Sequence, residues 1–444
     1  MPREIVMTSV TRPARTQRIK SMQSTGLLLI FIISVVNYMD RGTLSVANPL
    51  IRDELGISVA EMGVLLSAFL WPYAFTLLFA GALVDHGKPR RVLTASLIVW
   101  SLAQAAAGFI ASYGQFIVAR AVLGAGEAPM FPTAARVVKD WYHEGDQALG
   151  VGIWNGAPSL GTAIAPALLT PIMLVAGWRW MFVLMGIVGF ILAVVWYAVY
   201  RDLDPATLDE TDRAYLYDGG TAPEEHPVQL SSWGRLFGFR ATWGLILGFF
   251  GNVYIGWLFI AWLPGYLEIQ RHMSIPKTGF VASVPFLFGL VGSIAGGYLA
   301  DRLTRRGMTA IASRKMLTVI GLVVMSLATL VAAETASNFI AVASISVAVF
   351  FGFSSSGTSW SLANACAPPG YAASLGAIMD FGGFIGGALA PMVTGFVVQA
   401  TGSFTPALLV AGAIGLASAG AYVIGITGEP IPKQALAGGL ASAD

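Results

Sequence analysis

Charged residues are scarce in this sequence. Lysine, arginine, aspartate and glutamate make up 11% of its 444 residues, whereas soluble domains carry about 25%. Hydrophobic residues make up 56% of the chain, and its mean hydropathy is +0.70. So few charges cannot cover the surface of a soluble protein of this length, and the composition therefore predicts a polytopic membrane protein. The net charge of +2 is spread over many loops, so we expect no nucleic-acid partner.

Cysteine and histidine are also nearly absent. Cys366 is the single cysteine, which excludes an internal disulfide and a metal site built of thiolates. The four histidines stand at positions 86, 143, 226 and 272, outside every predicted membrane span. We therefore expect neither a catalytic Ser/His pair nor a metal-ligand cluster inside the membrane. The sequence predicts a protein that is not an enzyme and that uses no metal and no cofactor.

Long apolar runs are abundant. A membrane-spanning helix needs about 20 mostly apolar residues. Twelve segments qualify: 26–49, 61–84, 92–112, 115–138, 148–174, 178–200, 242–267, 278–300, 315–333, 338–361, 371–399 and 405–426. We predict an all-α polytopic membrane protein whose twelve transmembrane helices form two pseudo-symmetric six-helix bundles.

One long polar segment, residues 201–240, separates the two groups of six spans. It contains most of an acidic cluster: Asp202, Asp204, Asp209, Glu210, Asp212, Asp218, Glu224 and Glu225. The predicted organisation is a basic cytoplasmic tail (1–25), a first bundle (26–200), a cytoplasmic linker (201–240), a second bundle (241–426) and a cytoplasmic tail (427–444).

The distribution of lysine and arginine predicts the orientation. Cytoplasmic loops of membrane proteins carry an excess of these residues. With the N-terminus inside, twenty of the 26 fall in cytoplasmic segments and four, Arg52, Arg179, Arg271 and Lys277, fall in outer loops. We therefore expect both termini in the cytoplasm and a location in the inner (plasma) membrane.

Two charged pairs lie where lipid-facing residues are expected. Asp40 and Arg41 are adjacent in the first span, and Arg120 and Glu127 lie two helical turns apart on one face of the fourth span. Charged residues inside membranes normally face a bundle interior or a watery cavity and mark ion or substrate paths. We predict that Glu127 alternates between a protonated form and an ion pair with Arg120. The alternative is a permanent pair that fixes helix packing.

The directions of Asp40 and Arg41 differ by about 100° on a helix, so they cannot face the same point. We assign Arg41 to the central cavity, because a guanidinium group matches a carboxylate through two parallel hydrogen bonds. Asp40 would face the seam within the first bundle as a second proton site. Its alternative role is a hydrogen bond that braces a helix.

The two halves of the chain repeat a motif. Gly81 to Asp85 ends the second span and precedes Arg90 and Arg91, and Gly297 to Asp301 ends the eighth span and precedes Arg302, at an offset of 216 residues. Parallel six-span halves with a site between them are a known transporter plan. This motif resembles the loop signature of the major facilitator superfamily, in which Gly81, Asp85, Arg90, Arg91, Gly297, Asp301 and Arg302 would act in the conformational change.

Finer features resemble the anion:cation symporter family within that superfamily. The matching stretches are Asn37-Tyr38-Met39-Asp40-Arg41, the spacing of Arg120, Gly124, Glu127, Ala128 and Pro129, and Gly177-Trp178-Arg179-Trp180. The chain departs from the family at Trp141 to Gln147, and at Asp380, where relatives often carry an amide. The resemblance implies that Asp40, Glu127 and Arg120 couple transport to protons.

Other polar side chains could bind a substrate. Tyr38 lies near the face of Arg41, and Tyr73 is a candidate from the resemblance. The predicted substrate-binding set is Arg41, Tyr38, Tyr73, Asn155, Ser355, Thr358, Trp360 and Asp380. The serine-rich run around Ser355 has an alternative explanation, because small residues let membrane helices pack closely.

The resemblance implies proton-coupled uptake of a small organic anion, with protons as the coupling ion. We expect a sugar acid or hydroxy-dicarboxylate such as galactonate, glucarate, hexuronate or tartrate. The alternatives are uptake of an aromatic carboxylate and proton-coupled export of a drug or metabolite. Membrane lipid is the other expected partner, and we expect a monomer.

Overall fold

The computed structural model describes residues 15–217, 234–368 and 371–432, and within these ranges the chain is helical and contains no strand. A chain inside lipid must satisfy its backbone hydrogen bonds internally, which helices achieve. We number the helices α1 (Gln17–Leu55), α2 (Val59–Ser67), α3 (Leu70–Gly87), α4 (Pro89–Ala107), α5 (Tyr113–Glu127), α6 (Met130–Trp141), α7 (Glu144–Val199), α8 (Glu210–Tyr217), α9 (Arg240–Ile269), α10 (Ile275–Arg305), α11 (Ala310–Glu334), α12 (Asn338–Cys366), α13 (Ala372–Thr401) and α14 (Thr405–Gly425).

The prediction of twelve spans is confirmed, although helices and spans do not correspond one to one. The second span is α2 followed by α3, and the fourth is α5 followed by α6 with Pro129 at the break. The long helix α7 contains the fifth and sixth spans. Gly177 separates them with φ 83° and ψ 158°, a backbone conformation that favours glycine, so the chain can reverse there without a longer loop.

Both ends of the first span differ from the prediction. Helix α1 begins at Gln17, inside the predicted tail, and ends at Leu55 rather than near Pro49. The Thr16 side chain accepts a hydrogen bond from the Ile19 backbone N–H and so caps the helix. The extension is anchored by the buried side chain of Gln23, which donates to the Trp141 carbonyl at 2.8 Å. A hydropathy profile does not predict this N-terminal extension of α1, because its residues are polar although they are packed against the rest of the protein.

The first part of the predicted linker is also packed. Helix α8 lies beside the start of α1, where the Thr16 hydroxyl donates to buried Asp212 at 2.5 Å. Tyr215 accepts a hydrogen bond from Gln23 at 3.0 Å. The rest of the predicted linker, 218–233, and most of both predicted tails lie outside the described residues.

Helices α1–α7 form the first half of the bundle and α9–α14 the second, and each half contains an equivalent close contact at a glycine. Gly124 of α5 packs against the Phe69 carbonyl between α2 and α3, while Gly292 of α10 packs against the Phe350 carbonyl of α12. In each half the fourth span therefore approaches the second span closely. Such small residues let membrane helices come together.

The halves meet at one end of the molecule, which we call the far end because both described chain ends lie at the other, terminal end. Four hydrogen bonds between helices of the two halves mark this contact: Ser45 Oγ to Ala261 O, Ser67 Oγ to Ala388 O, Val59 N to Gln399 Oε1 and Ala167 N to Ser283 Oγ. These contacts lie in the far-end half of each span or near its middle. The structure is thus closed at the far end.

Candidate functional site

A buried ion pair joins α1 to α5. Arg41 Nε donates to Glu127 Oε2 at 2.9 Å, and the two side chains are 1% and 0% exposed. The spacing of Arg120 and Glu127 on one helix predicted a different pair, and this pairing is wrong for the conformation described here. The reason is that the fold of the first half places α1 and α5 so that the long Arg41 side chain reaches the carboxylate, although α1 itself packs chiefly against α7. Burial removes water from both charges, and their attraction offsets this desolvation cost only when the charged groups are close and well aligned.

Four aromatic rings surround the Arg41 guanidinium. Its Cζ atom lies 4.4 Å from the Tyr38 ring centroid, 4.9 Å from Phe69, 4.8 Å from Tyr73 and 5.9 Å from Trp257. Three rings belong to the first half and Trp257 belongs to α9 of the second, so Arg41 lies at the boundary between the halves. Cation–π attraction is effective within about 6 Å of a ring centroid.

The two terminal nitrogens of Arg41 have no hydrogen-bond partner among the residues of the described ranges. Nε is held by Glu127, and the Tyr73 hydroxyl makes a looser polar interaction with the same guanidinium. A guanidinium group presents its donors as a planar fork that matches the two oxygens of a carboxylate. Nη1 and Nη2 are therefore the donors with which this site could bind an anion.

A second set of buried charges lies next to this pair, within the first half. Asp40 is 0% exposed and Arg120 is 2% exposed. Asp40 interacts electrostatically with Glu127, Arg120 and Arg41. Within the described residues neither carboxylate oxygen of Asp40 has a hydrogen-bond partner. The structure therefore places Asp40 in the seam of the first half and Arg41 at its surface toward the second half, as the 100° difference between them requires.

Asp380 approaches the site from the second half. It lies on α13 one turn before Phe384, whose ring centroid is 4.8 Å from that of Tyr73. Residues four apart share a helix face, so Asp380 and Phe384 both face the first half. Asp380 interacts electrostatically with Arg41, Tyr38 and Tyr73, and it is partly exposed.

The remaining predicted binding residues divide into two groups. Tyr38 and Tyr73 lie against Arg41, as described above. Asn155 is exposed on α7, and no contact joins it to Arg41 among the described residues. Trp360 is 38% exposed and packs on Phe249 of α9, with a centroid separation of 6.5 Å. These two residues lie on the terminal-end side of the bundle rather than at the ion pair.

Ser355 and Thr358 do not line the site. Ser355 Oγ donates to the Thr318 carbonyl at 3.0 Å, and Thr318 Oγ1 donates to Thr358 Oγ1 at 2.9 Å. Both side chains are at most 1% exposed and lie between α11 and α12. The substrate role predicted for them is therefore not supported by their positions. These contacts agree with the packing alternative for the serine-rich run.

The two copies of the loop motif lie at the terminal end. Asp85 forms an ion pair with Arg136 at 3.1 Å, and Arg90 donates through Nε and Nη2 to the Tyr197 carbonyl at 2.9 and 2.7 Å. Arg91 is exposed, and Gly81 has open space beside it. In the second copy Gly297, Asp301 and Arg302 are all exposed. The first copy thus ties helices together, whereas the second lies on the surface.

Sequence reasoning missed two of the rings around Arg41, Phe69 and Trp257, and also Phe384, which packs against Tyr73. Phe69 stands one turn before Tyr73, a spacing that could have indicated a shared face. Trp257 and Phe384 come from the other half of the chain, and no local pattern links them to Arg41. No group of three or more His, Cys, Asp or Glu is placed to hold a metal ion in the parts of the chain that the structure describes.

Comparison with known proteins supplies the family. Residues 30–391 match the family model described as the Major Facilitator Superfamily. A probable L-galactonate transporter of Escherichia coli strain K12 is 39% identical over 417 residues, which cover 94% of this chain and 92% of that protein. A D-galactonate transporter of Escherichia coli strain CFT073 is 32% identical over 90% of this chain and 94% of that protein.

Solved structures show the same fold. A bacterial homologue of the human lysosomal transporter Spinster, in an inward-facing and unoccupied conformation, has a TM-score of 0.70 at 20% identity, and the match covers 91% of this chain and 95% of that one. A D-xylose–proton symporter has a TM-score of 0.71 at 13% identity, with 92% of this chain and 99% of that one covered.

Proposed function

The chain belongs to the Major Facilitator Superfamily, and from that premise we propose that it takes up a small sugar acid by proton-coupled symport. It is a transporter with many membrane spans, not an enzyme. The proposed substrates are polyhydroxy acids such as galactonate, because relatives that match nearly the whole chain are named as galactonate transporters. The proposed location is the inner membrane, with both termini in the cytoplasm and the transporter acting as a monomer.

The observation that carries this proposal is the Arg41 fork. Nη1 and Nη2 are buried without a hydrogen-bond partner in the described ranges, while Nε is held by Glu127. This arrangement supports binding of a substrate carboxylate across the two terminal nitrogens. Tyr38 and Tyr73, which lie over the same guanidinium, could then hydrogen-bond substrate hydroxyls.

Proton coupling is supported by the balance of charges. Three carboxylates, Asp40, Glu127 and Asp380, face two guanidinium groups, Arg41 and Arg120. An anion that entered this buried site would increase the excess of negative charge, and an uncompensated buried charge is strongly unfavourable. A proton taken up with the anion would remove that excess.

Glu127 is the proposed carrier of this proton. A substrate carboxylate bound to Nη1 and Nη2 would share the single positive charge of Arg41 with Glu127, which is held by Nε. A buried carboxylate beside a second anion favours its protonated form, because the like charge and the low dielectric both disfavour ionisation. In this mechanism Glu127 is protonated when substrate is bound, and it releases the proton and pairs again with Arg41 after the substrate leaves. Asp40 would be the second proton site in the seam.

Transport in vesicles tests the proposal. Purified protein in proteoliposomes should accumulate labelled galactonate when the interior is made alkaline, and a protonophore should abolish the accumulation. Tartrate, glucarate, a hexuronate, an aromatic acid and a cationic drug, each offered in place of galactonate, would identify the alternative substrates. Accumulation that is unchanged by both the pH gradient and the protonophore would contradict proton symport.

A further inference from the structure

We propose that this site selects polyhydroxy monocarboxylates and rejects dicarboxylates, and that Asp380 is the residue that discriminates between them. The inference rests on the proposed function, because it specifies the substrate class of the same site. An aldonate or hexuronate carries one carboxylate, whereas an aldarate or tartrate carries two. A transporter of dicarboxylates needs a second cationic group to bind the second carboxylate of its substrate. At that position this chain has Asp380, which carries a negative charge instead.

The cationic side chains of the spans are distributed unequally between the halves. In the first half, Arg41 and Arg120 are buried in the middle of their spans, and Arg120 interacts with Asp40 and Glu127 within the seam. The cationic residues on the helices of the second half stand near helix ends: Arg240, Lys277, Arg302, Arg305, Arg314 and Lys315. Lys315 is engaged by the Val423 and Ile426 carbonyls. Arg41 is thus the one guanidinium that faces the second half in the middle of the described spans.

Asp380 lies where the distal end of a substrate would lie. A carboxylate bound to the Arg41 fork points its carbon chain away from the Glu127 side of the guanidinium. The second half faces the site there through Trp257, which lies against Arg41, and through Phe384, which lies against Tyr73; Asp380 follows one turn along α13. One helical turn advances about 5.4 Å, so Asp380 is displaced from the aromatic contact toward the terminal end. It interacts electrostatically with Arg41, Tyr38 and Tyr73 across the boundary.

The two substrate classes would meet Asp380 differently. The hydroxyl groups of an aldonate or hexuronate are donors, and the Asp380 carboxylate can accept two of them in hydrogen bonds strengthened by its charge. A second substrate carboxylate has no donor to offer and would meet a like charge in a partly buried site. The same residue therefore favours a distal hydroxyl and disfavours a distal carboxylate.

Galactonate and galactarate are the matched pair of probes, because they differ in a hydroxymethyl group against a carboxylate at carbon 6. Binding is measured by quenching of tryptophan fluorescence in the purified full chain at pH 7. The wild type should bind galactonate at least about tenfold more tightly than galactarate, which corresponds to about 1.4 kcal/mol. In Asp380→Asn the ratio should fall toward one, because the amide removes the like charge and can donate a hydrogen bond to the distal carboxylate.

Two further variants keep the test decisive. Glu334→Gln makes the same change of charge at an exposed position at the far end of α11 and should leave the ratio unchanged. Asp380→Glu keeps the charge and should keep the rejection of galactarate, which also covers the case in which the Asn variant does not fold.

Equal binding of the two acids by the wild type, or tighter binding of galactarate, would overturn the inference and leave sugar-acid transport standing. An unchanged ratio in a folded Asp380→Asn variant would remove Asp380 as the discriminating residue. Failure of the wild type to bind any sugar acid would overturn the proposed function together with the inference.

Discussion

At the scale of single residues, the site is organised by Arg41, which makes two kinds of contact. Its Nε atom pairs with Glu127, and its terminal nitrogens lie among aromatic rings from both halves. The sequence indicated that Arg41 faces a cavity and Asp40 a seam, because adjacent helical residues point in different directions. It could not indicate that Arg41 is the partner of Glu127, since that pairing depends on where the fold places α1 relative to α5.

The substitution Arg41→Lys tests the fork. Lysine keeps the positive charge but offers a compact ammonium group instead of planar paired donors. A hydrogen bond to a charged group contributes about 1.5–3 kcal/mol, so affinity for galactonate should fall roughly 10- to 100-fold. Tryptophan quenching of the purified variant measures the change.

Arg306→Lys is the matched control, because Arg306 is exposed at the terminal end and far from the site. It should bind galactonate as the wild type does. Wild-type affinity in Arg41→Lys itself would move the carboxylate site elsewhere, with Arg120 as the next candidate.

At the scale of helices, the closure of the far end depends on a contact between backbones. Gly63 of α2 lies against α13, and a Cβ atom placed on it would come within 2.7 Å of the Pro391 carbonyl and 3.0 Å of the Gly395 Cα atom. This close approach requires glycine on both helices. If the far end opened, α2 and α13 would separate, and a larger side chain at position 63 would no longer clash.

The substitution Gly63→Val should therefore open the far end. Overpacking of a tight contact costs about 1–3 kcal/mol, so the open population should rise by about fivefold or more. A cysteine introduced as Ser67→Cys, in a Cys366→Ser background, reports the change because Ser67 is 1% exposed in the contact. Labelling by a membrane-impermeant thiol reagent from the far-end side should accelerate.

Gly114→Val serves as the control, since nothing lies within 4 Å of a Cβ atom built at Gly114. Its labelling rate at position 67 should match that of the Ser67→Cys protein. If Gly63→Val also labels at that unchanged rate, the α2–α13 contact does not control closure.

Helix positions were more predictable than helix contacts. Twelve apolar runs gave twelve spans, because each span must be apolar along about 20 residues to cross lipid. The N-terminal extension of α1 and the docking of α8 were missed, since both depend on polar contacts between distant residues, such as Gln23 with Tyr215. Ser355 and Thr358 bind the neighbouring helix in this structure, because a hydroxyl in a membrane helix can bind another helix as readily as a substrate.

At the scale of the whole molecule, the repeat at Gly81 and Gly297 indicated two six-span halves, and the fold agrees. The orientation in the membrane stays a prediction from the lysine and arginine distribution. A green fluorescent protein fused to the C-terminus should fluoresce in cells, and alkaline phosphatase fused there should be inactive. An active phosphatase with a dark fluorescent fusion would place the C-terminus outside the cell, and the closed far end would then face the cytoplasm.

The central claim concerns the ion pair of Arg41 and Glu127: the carboxylate of Glu127 carries the coupled proton. In Glu127→Gln the amide is close in size and imitates a permanently protonated carboxylate beside Arg41. Binding and exchange of substrate should survive, whereas accumulation driven by a pH gradient should be lost because no proton can leave. If the pair is instead a fixed structural element, removal of one partner typically costs about 3–5 kcal/mol, and the variant would fold poorly.

The most direct measurement is made on one preparation of purified Glu127→Gln in proteoliposomes, with counterflow of labelled against unlabelled galactonate compared with uptake driven by an alkaline interior. The account predicts counterflow close to that of the wild type and no accumulation. Loss of both activities in a well-folded variant, or retention of both, would contradict it and make Asp40 the first candidate for the coupling site.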